Sequence, residues 1–165
     1  MFISVVVATY NRPDALAAVL RSLAKQDDRE FEIVVADDGS GRETAVVIEH
    51  AQRATQVRLS HVWQQDLGFR LAAARNRATA TACGDYLIYL DGDCIVGRHF
   101  VRAHRALAEP GWCAAGGRIL LSESFTQALL ADRISVEDWS FADKVRGAQR
   151  GQLNRALSSL WLPFG

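Results

Sequence analysis

The sequence predicts an α/β fold in which helices flank both faces of a mostly parallel sheet. Short apolar runs at 2–8, 32–36 and 86–90 are rich in strand-forming residues and are typical of buried parallel strands. Segments with helical spacing of apolar residues separate these runs, and such alternation indicates βαβ units. A polar segment follows each run, at the edge where ligands bind in open α/β sheets.

Taken in order, the chain is expected to alternate between strands and helices up to about residue 121. The expected elements are a strand at 2–8, a helix from Pro13, a strand at 32–36, a helix at 42–53, a strand at 57–62, a helix at 71–83, a strand at 86–90, a helix at 98–108 and a further strand at 113–121. Ser40 is the expected N-cap of the second helix. The strand at 86–90 is expected to be buried on both faces. Beyond Ser122 the pattern weakens, with helical turns at 125–130.

Composition narrows the class of protein. The chain has 165 residues, of which 49% are hydrophobic and 23% charged, as in ordinary globular domains. The formal net charge of +0 gives no reason to expect nucleic acid as a partner. No apolar run reaches the roughly 18 residues of a membrane span. The three cysteines lack metal-ligand spacing and are expected to be reduced thiols of a cytoplasmic protein.

The most informative polar segment is Asp91-Gly92-Asp93, at the end of a predicted core strand. Two neighbouring carboxylates repel each other and attract a cation, and oxygen ligands suit Mg²⁺ or Mn²⁺. A plain surface turn is the alternative, because Asp and Gly favour turns. Polar residues at two other strand ends, 9–12 and 37–38, are expected at the same edge. There Asp38 is suited to accept hydrogen bonds from a base or a ribose.

Four segments carry a resemblance to a known family. They are Val-Val-Val-Ala-Thr-Tyr-Asn-Arg-Pro at 5–13, Ala-Asp-Asp-Gly-Ser at 36–40, Ala-Ala-Ala-Arg-Asn at 72–76 and Gly-Asp-Tyr-Leu-Ile-Tyr-Leu-Asp-Gly-Asp at 84–93. In order and spacing they resemble family 2 glycosyltransferases of the GT-A fold, a Rossmann-like architecture. Gly68-Phe69-Arg70 and the Cys94 that follows Asp93 are similar to the bacterial polysaccharide and lipopolysaccharide branch, including chondroitin-polymerase-like donor domains.

The resemblance implies inverting transfer of a sugar from a nucleotide diphosphate, usually a UDP-sugar, to a saccharide or lipid-linked acceptor. It implies Mn²⁺ or Mg²⁺ as cofactor, with Asp93 and Asp91 as metal ligands. The nucleotide-binding residues that it implies are Thr9, Tyr10, Asn11, Arg12, Asp38, Arg75, Asp91 and Gly92. The expected location is the cytoplasm, with peripheral association with the inner face of the membrane left open.

The general base of the family is the least certain part of the resemblance. Glu137 and Asp138 form the acidic pair downstream of the metal motif, but the Gly-Trp-Gly sequence that usually precedes the base is missing. We therefore expect the base and part of the acceptor site to lie beyond Gly165. On this interpretation 1–121 is the donor-binding part, and 122–165 begins the acceptor-side part of one structural domain.

Several alternatives stay open at this point. Arg12 and Arg70 are also consistent with solvated charges, Trp63 with either the donor pocket or the core, and His61 with a surface or packing role. A phosphatase of the haloacid dehalogenase type is disfavoured, because its Asp-x-Asp motif normally ends the first strand. The serious alternative is a non-catalytic domain that binds a nucleotide sugar.

Overall fold

The computed structural model describes residues 1–131 and 134–154. The chain divides into two compact units, Met1–Trp112 and Cys113–Gly165. The donor and acceptor division at residue 121 that the sequence suggests is a division of function, and it stays a prediction.

The first unit alternates strands and helices as the sequence predicts. Its elements are β1 (Ile3–Thr9), α1 (Pro13–Ala24), β2 (Phe31–Asp37), α2 (Arg42–Ala54), β3 (Arg58–Trp63), α3 (Leu71–Thr81), β4 (Tyr86–Asp91) and α4 (Phe100–Leu107). The four strands form one sheet of order β3-β2-β1-β4, and all three pairings are parallel. The predicted α/β class is therefore confirmed.

Helices cover both faces of this sheet. On one face, apolar residues of α1, α2 and α4 pack on the strands around a core that includes Leu16, Ile48 and Val101. On the other face, α3 packs through Ala74 and Ala78. Since alanine has only a methyl group, the axis of α3 lies close to the sheet. Because α3 follows the carboxyl end of β3 after the segment 64–70, its first turn lies beside the carboxyl ends of the strands.

The strand β4 differs from its prediction. Only Ile88 and Leu90 are buried, and Tyr89 is 51% exposed. The physical reason is position: β4 is the outer strand of the described sheet, and α3 packs on β1, β2 and β3. An apolar run fits an edge strand as well as a central one, so the expectation of burial on both faces was wrong.

The second unit contains two described helices, α5 (Glu123–Leu130) and α6 (Phe141–Gln149). Phe125 of α5 packs against Trp139, with ring centroids 5.4 Å apart. The helix α6 begins with a capping box between Ser140 and Asp143.

The strand expected at 113–121 does not form. Residues 113–118 are exposed, and only Leu121 makes an isolated antiparallel bridge, to Leu153. Without burial, a segment that contains Gly116 and Gly117 has little to offset the entropy of an extended conformation.

None of the helices in the described ranges is long and apolar enough to cross a membrane.

Candidate functional site

The candidate site lies at the carboxyl edge of the sheet, where the strand ends are level with one another. Thr9 pairs with Asp37 in register, Asp37 pairs with Trp63, and Ala8 pairs with Asp91. The polar segments that the sequence singled out after β1, β2 and β4 therefore leave the sheet side by side. The segment 64–70, between β3 and α3, joins them at the same edge.

Asp37 shapes the turn that follows β2. Its side chain is 1% exposed, and Oδ1 accepts hydrogen bonds from the main-chain N–H groups of Ser40 (2.7 Å) and Gly39 (3.2 Å). His61 Nε2 lies 2.8 Å from the other carboxylate oxygen. Burial by itself raises the pKa of Asp37. The hydrogen bonds from His61 and Ser40 outweigh it and hold that pKa below its ordinary value. The carboxylate is therefore ionised at neutral pH, and its hydrogen bonds stabilise the turn.

Ser40 connects this turn to the loop after β1. Its hydroxyl accepts a hydrogen bond from the main-chain N–H of Asn11 at 2.9 Å, and Asn11 Oδ1 accepts one from the N–H of Gly41 at 2.9 Å. Asn11 has a φ of 47°, which asparagine tolerates better than most residues. The expectation that Ser40 caps α2 was wrong: Gly41 is the N-cap, because the Ser40 hydroxyl is used by Asn11.

Asp38, the first residue after β2, anchors the segment 64–70. Its Oδ1 accepts a hydrogen bond of 2.6 Å from Gln64 Nε2, and its Oδ2 accepts one of 2.7 Å from the main-chain N–H of Arg70. The residue is 3% exposed. Each carboxylate oxygen has two lone pairs, so both can accept a further hydrogen bond from a ligand.

Asp66 holds the same segment against two neighbours. Its carboxylate accepts a hydrogen bond of 2.9 Å from the Tyr10 hydroxyl, which raises the pKa of Tyr10. Its main chain lies directly over Gly39: a Cβ at that glycine would be 2.6 Å from Asp66 Cα. The loops after β1 and β2 and the segment 64–70 thus form one connected wall of the site.

Arg75 lies one helical turn into α3 and reaches the end of β4. Its guanidinium donates to Asp91 Oδ1 at 2.6 Å. The side chains are 31% and 45% exposed, so this ion pair is open to solvent.

The Nε–H groups of Arg75 and Arg70 are buried and have no hydrogen-bond partner among the described residues, and the same holds for Thr9 Oγ1. Buried polar atoms normally have partners, so these three atoms point to a ligand at this edge.

Asp91 is the last residue of β4, and Asp93 lies on the tight turn that follows it. The N–H of Cys94 donates to the carbonyl oxygen of Asp91 at 3.0 Å. One side-chain ligand atom from each of these three residues lies within 4.8 Å of the others. Gly92 is required here, because a Cβ would approach the Ala8 carbonyl oxygen to 2.5 Å. Carboxylate oxygens at this spacing fit Mg²⁺ or Mn²⁺.

Most of the predicted site residues of the first unit come together at this edge. Arg12 is different: it is exposed and pairs with Asp14 of its own helix at 3.4 Å. Glu137 and Asp138 belong to the second unit, where Glu137 Oε2 accepts hydrogen bonds from Ser135 Oγ and, at 3.0 Å, from the N–H of Val136. The roles of all these residues stay predictions.

Sequence reasoning missed the parts played by Asp37, His61 and Asp66. For Asp37, a usable signal was its place as the last residue of an apolar run, which implies a buried carboxylate. For Asp66, the signal was the Asp-x-Gly turn with Gly68. Nothing in the sequence indicates that His61 is the partner of Asp37.

Residues 4–156 match the profile of the family described as glycosyl transferase family 2. Among curated relatives, validoxylamine A glucosyltransferase of Streptomyces hygroscopicus subsp. jinggangensis is 38% identical over 103 residues, which cover 61% of this chain and 24% of the relative. Chondroitin synthase of Escherichia coli is 31% identical over 106 residues, or 64% of this chain and 15% of the relative. The chain thus spans less than a quarter of the length of either relative.

Solved structures agree with the fold. TarS of S. aureus, as a fragment in complex with UDP-GlcNAc, is 31% identical with a TM-score of 0.56, over 64% of this chain and 30% of that one. A mannosyltransferase of Pyrobaculum calidifontis, in complex with GDP-Man and Mn²⁺, is 23% identical with a TM-score of 0.62, over 77% of this chain and 37% of that one. The GT-A fold that the resemblance implied is confirmed. Because the matched profile covers well over half of the sequence, the chain belongs to glycosyl transferase family 2.

Proposed function

We propose that this chain is the donor-binding part of a metal-dependent, inverting glycosyltransferase that uses a UDP-sugar. One observation carries the proposal: Asp38, the Arg75–Asp91 pair and Asp93 lie at one edge of the sheet. The buried polar atoms without hydrogen-bond partners among the described residues, Thr9 Oγ1 and the Nε atoms of Arg70 and Arg75, lie at the same edge. A nucleotide diphosphate offers the base, hydroxyl and phosphate groups that such an edge can bind.

The base is proposed to lie against Asp38. Uracil presents a ring N–H between two carbonyl oxygens, so it suits a carboxylate acceptor that is close to N–H donors. The donor beside Asp38 is Arg70, whose main-chain N–H binds that carboxylate and whose buried Nε–H has no partner among the described residues. Guanine also has a ring N–H beside a carbonyl, whereas cytosine and adenine lack it. The arrangement therefore favours UDP, then GDP, over CDP and ADP.

Thr9, Tyr10 and Asn11 are proposed to line the nucleotide pocket, with Arg12 at its rim. Thr9 Oγ1 is buried without a partner, which suits contact with the nucleotide. Gly92 supports the same pocket through its close approach to the end of β1.

Asp93 is proposed as the main metal ligand, with Asp91 as the second. Asp93 is exposed at the turn, and Asp91, which pairs with Arg75 through Oδ1, belongs to the same cluster of possible ligand atoms. When bound, Mn²⁺ or Mg²⁺ would supply positive charge to the diphosphate that departs. Arg75 is placed to hold Asp91 in position and to add a second positive charge near the phosphates.

In inverting transfer, an acceptor oxygen bonds to the anomeric carbon while the bond from that carbon to the diphosphate oxygen breaks. The electron pair leaves with the diphosphate, and a carboxylate takes the proton of the acceptor hydroxyl. Glu137 and Asp138 are the candidates within this sequence, and a base outside it is the proposal that we favour. The acceptor is proposed to be a saccharide or a lipid-linked saccharide, in the cytoplasm or at the inner face of the membrane.

The relatives support this proposal in general terms. Those named above are a glucosyltransferase and a chondroitin synthase, and the TarS fragment binds UDP-GlcNAc. They differ in sugar and in acceptor, so they support the nucleotide-sugar class and the polysaccharide setting rather than one product.

Calorimetric titration with UDP, GDP, CDP and ADP, each with and without Mn²⁺, tests the proposal. We expect UDP to bind most tightly and Mn²⁺ to strengthen its binding. Absence of binding by all four nucleotides would refute the proposal. Tight metal-dependent UDP binding without transfer by this chain is expected both for the donor-binding part of a glycosyltransferase and for the second candidate, a non-catalytic nucleotide-sugar-binding domain. The missing Gly-Trp-Gly sequence before Glu137 and Asp138 is the observation that favours this second candidate.

A further inference from the structure

Two polar side chains at the carboxyl end of α1 are completely buried. Ser22 and Gln26 are both 0% exposed, and they lie one helical turn apart next to the apolar residues that pack on the sheet. A serine and a glutamine in a core are costly unless their polar atoms are hydrogen-bonded. Their partners therefore indicate what these residues do.

Those partners belong to the segment that leads into α4. The Ser22 hydroxyl accepts a hydrogen bond of 3.2 Å from the main-chain N–H of Val96. Gln26 Nε2 donates to the carbonyl oxygen of Gly97 at 2.8 Å, and Gln26 Oε1 accepts from the N–H of Val101 at 3.0 Å. Two buried side chains thus fix three main-chain groups within six residues.

This segment is the direct continuation of the turn that carries Asp91 and Asp93. The turn is fixed at its start, where the N–H of Gly92 donates to the carbonyl oxygen of Ala8 at 2.7 Å. Beyond Asp93, Cys94 and Ile95 pack against the apolar core, and the N–H of Val96, three residues after Asp93, is anchored by Ser22. The direction in which the Asp93 carboxylate points therefore depends on α1 as well as on β1.

We propose that Ser22 and Gln26 are positioning residues for the cation site of Asp91 and Asp93, and that they set the affinity of that site for its cation. This inference rests on the proposed function. Residues behind metal ligands orient them, and their loss typically weakens metal binding by about 10–100-fold. Neither side chain touches the cation site itself, so a change in affinity has to be transmitted through 94–97.

A matched serine separates positioning from simple stability. Ser4 is also 0% exposed, and its hydroxyl also joins two distant parts of the chain: it donates to Glu32 Oε1 at 2.7 Å and accepts from the N–H of Gly84 at 2.8 Å. Ser4 and Gly84 lie at the opposite edge of the sheet. Ser4→Ala and Ser22→Ala each remove two hydrogen bonds of a buried hydroxyl, but only Ser22→Ala loosens the turn that carries Asp91 and Asp93.

The experiment measures free Mn²⁺ by electron paramagnetic resonance at saturating UDP, together with unfolding in urea, for the parent chain, Ser22→Ala and Ser4→Ala. We expect Ser22→Ala to raise the dissociation constant of Mn²⁺ at least about tenfold. Ser4→Ala should lose at least as much stability, because one partner of Ser4 is a buried carboxylate, and it should bind Mn²⁺ like the parent. Amide exchange over 94–101 should accelerate only in Ser22→Ala.

Gln26→Met provides a second variant of similar volume, with the same expected weakening of Mn²⁺ binding. If it does not fold, Ser22→Ala still decides the question. Unchanged Mn²⁺ affinity in Ser22→Ala, or equal weakening in Ser4→Ala, would overturn the inference. A parent chain that binds UDP but no Mn²⁺ would instead refute the cation site of the proposed function, and the inference with it.

Discussion

The main-chain N–H of Arg70 donates a hydrogen bond of 2.7 Å to Oδ2 of Asp38. One buried carboxylate therefore joins the acidic end of β2 to the residue that precedes α3. Asp38 has two roles in our proposal, since it anchors the segment 64–70 and accepts a hydrogen bond from the base. Mutations can separate the structural role from the role in nucleotide binding.

Asp38→Asn should weaken UDP binding whether or not Mn²⁺ is present. An asparagine has one acceptor oxygen, so it cannot accept from Gln64, from Arg70 and from a base as the carboxylate does. Loss of one charge-assisted hydrogen bond costs roughly 1.5–3 kcal/mol, which calorimetric titration of UDP would detect.

Gln64→Met is the control for this change, because it removes one partner of Asp38 and leaves the carboxylate. We expect it to reduce stability and to change UDP affinity much less than Asp38→Asn does. Equal weakening by both variants would mean that Asp38 acts by holding the segment 64–70 rather than by direct contact with the base.

Asp93→Asn should abolish the effect of Mn²⁺ on UDP binding and leave the fold intact, because Asp93 is exposed on a turn. Asp85→Asn makes the same change of charge at the opposite edge of the sheet, where Asp85 is also exposed and accepts a hydrogen bond from the N–H of Phe2. UDP affinity is measured with and without Mn²⁺ for both variants. A Mn²⁺ effect that survives in Asp93→Asn would show that the metal ligand has been misassigned.

The sequence was sufficient for the strands and for the edge that carries the site. The apolar runs before Thr9, Asp37 and Asp91 are local signals, and parallel pairing then places the three strand ends together. The sequence was not sufficient to predict contacts between residues that are distant from each other in the chain. The partners of Gln26 lie about 70 residues further on, and no local pattern indicates that this side chain is buried.

The same limit explains the errors. The prediction for Ser40 failed because an asparagine 29 residues earlier competes for its hydroxyl. The prediction for β4 failed because the order of strands in a sheet is not a local property, so the exposure of Tyr89 could not be anticipated.

His61→Phe should lower the stability of the chain at neutral pH and make that stability less dependent on pH in the acid range. The pKa of Asp37 is lowered in the folded chain, so its ionisation stabilises the fold above the ordinary carboxyl pKa of about 4. That stability is lost as the pH falls through the folded pKa. Removal of His61 takes away a hydrogen bond that lowers this pKa, so the pKa of Asp37 in the folded chain moves back toward its value in the unfolded chain. The variant should therefore be less stable than the parent at neutral pH, and the difference between the two should shrink as the pH falls.

Urea unfolding at several pH values between 7 and 3 measures this effect. The cost of His61→Phe at neutral pH should be about 1–3 kcal/mol, because a buried carboxylate loses a partner. His61→Gln, whose amide can still donate to Asp37, should recover part of the difference. Identical acid unfolding curves for the parent and His61→Phe would contradict the role assigned to His61.

Gly39→Ala should destabilise the chain more than Gly68→Ala does. Both glycines have positive φ, +101° and +84°, so both variants bear the strain of that backbone conformation, about 1–2 kcal/mol. Only at Gly39 does the added Cβ meet a backbone, since Asp66 Cα would lie 2.6 Å away, whereas nothing lies within 4 Å at Gly68. Thermal unfolding of the two variants measures the difference. Equal destabilisation would mean that the contact between Gly39 and Asp66 does not hold the wall of the site together.

The last prediction concerns transfer. We expect the 165-residue chain to bind UDP with Mn²⁺ and yet to transfer sugar slowly or not at all. General-base catalysis contributes roughly 10²–10⁴ in rate, so a chain without its base keeps donor binding and loses turnover. Glu137 and Asp138 lack the Gly-Trp-Gly sequence that usually precedes the base in the family that the chain resembles, which makes them poor candidates for the group that takes the proton of the acceptor. Donor binding and transfer should be measured on the same sample, with polysaccharide and lipid-linked acceptors. Glu137→Gln and Asp138→Asn should leave both unchanged. Rapid transfer by the parent chain, lost in either variant while UDP binding persists, would contradict this prediction and identify the base.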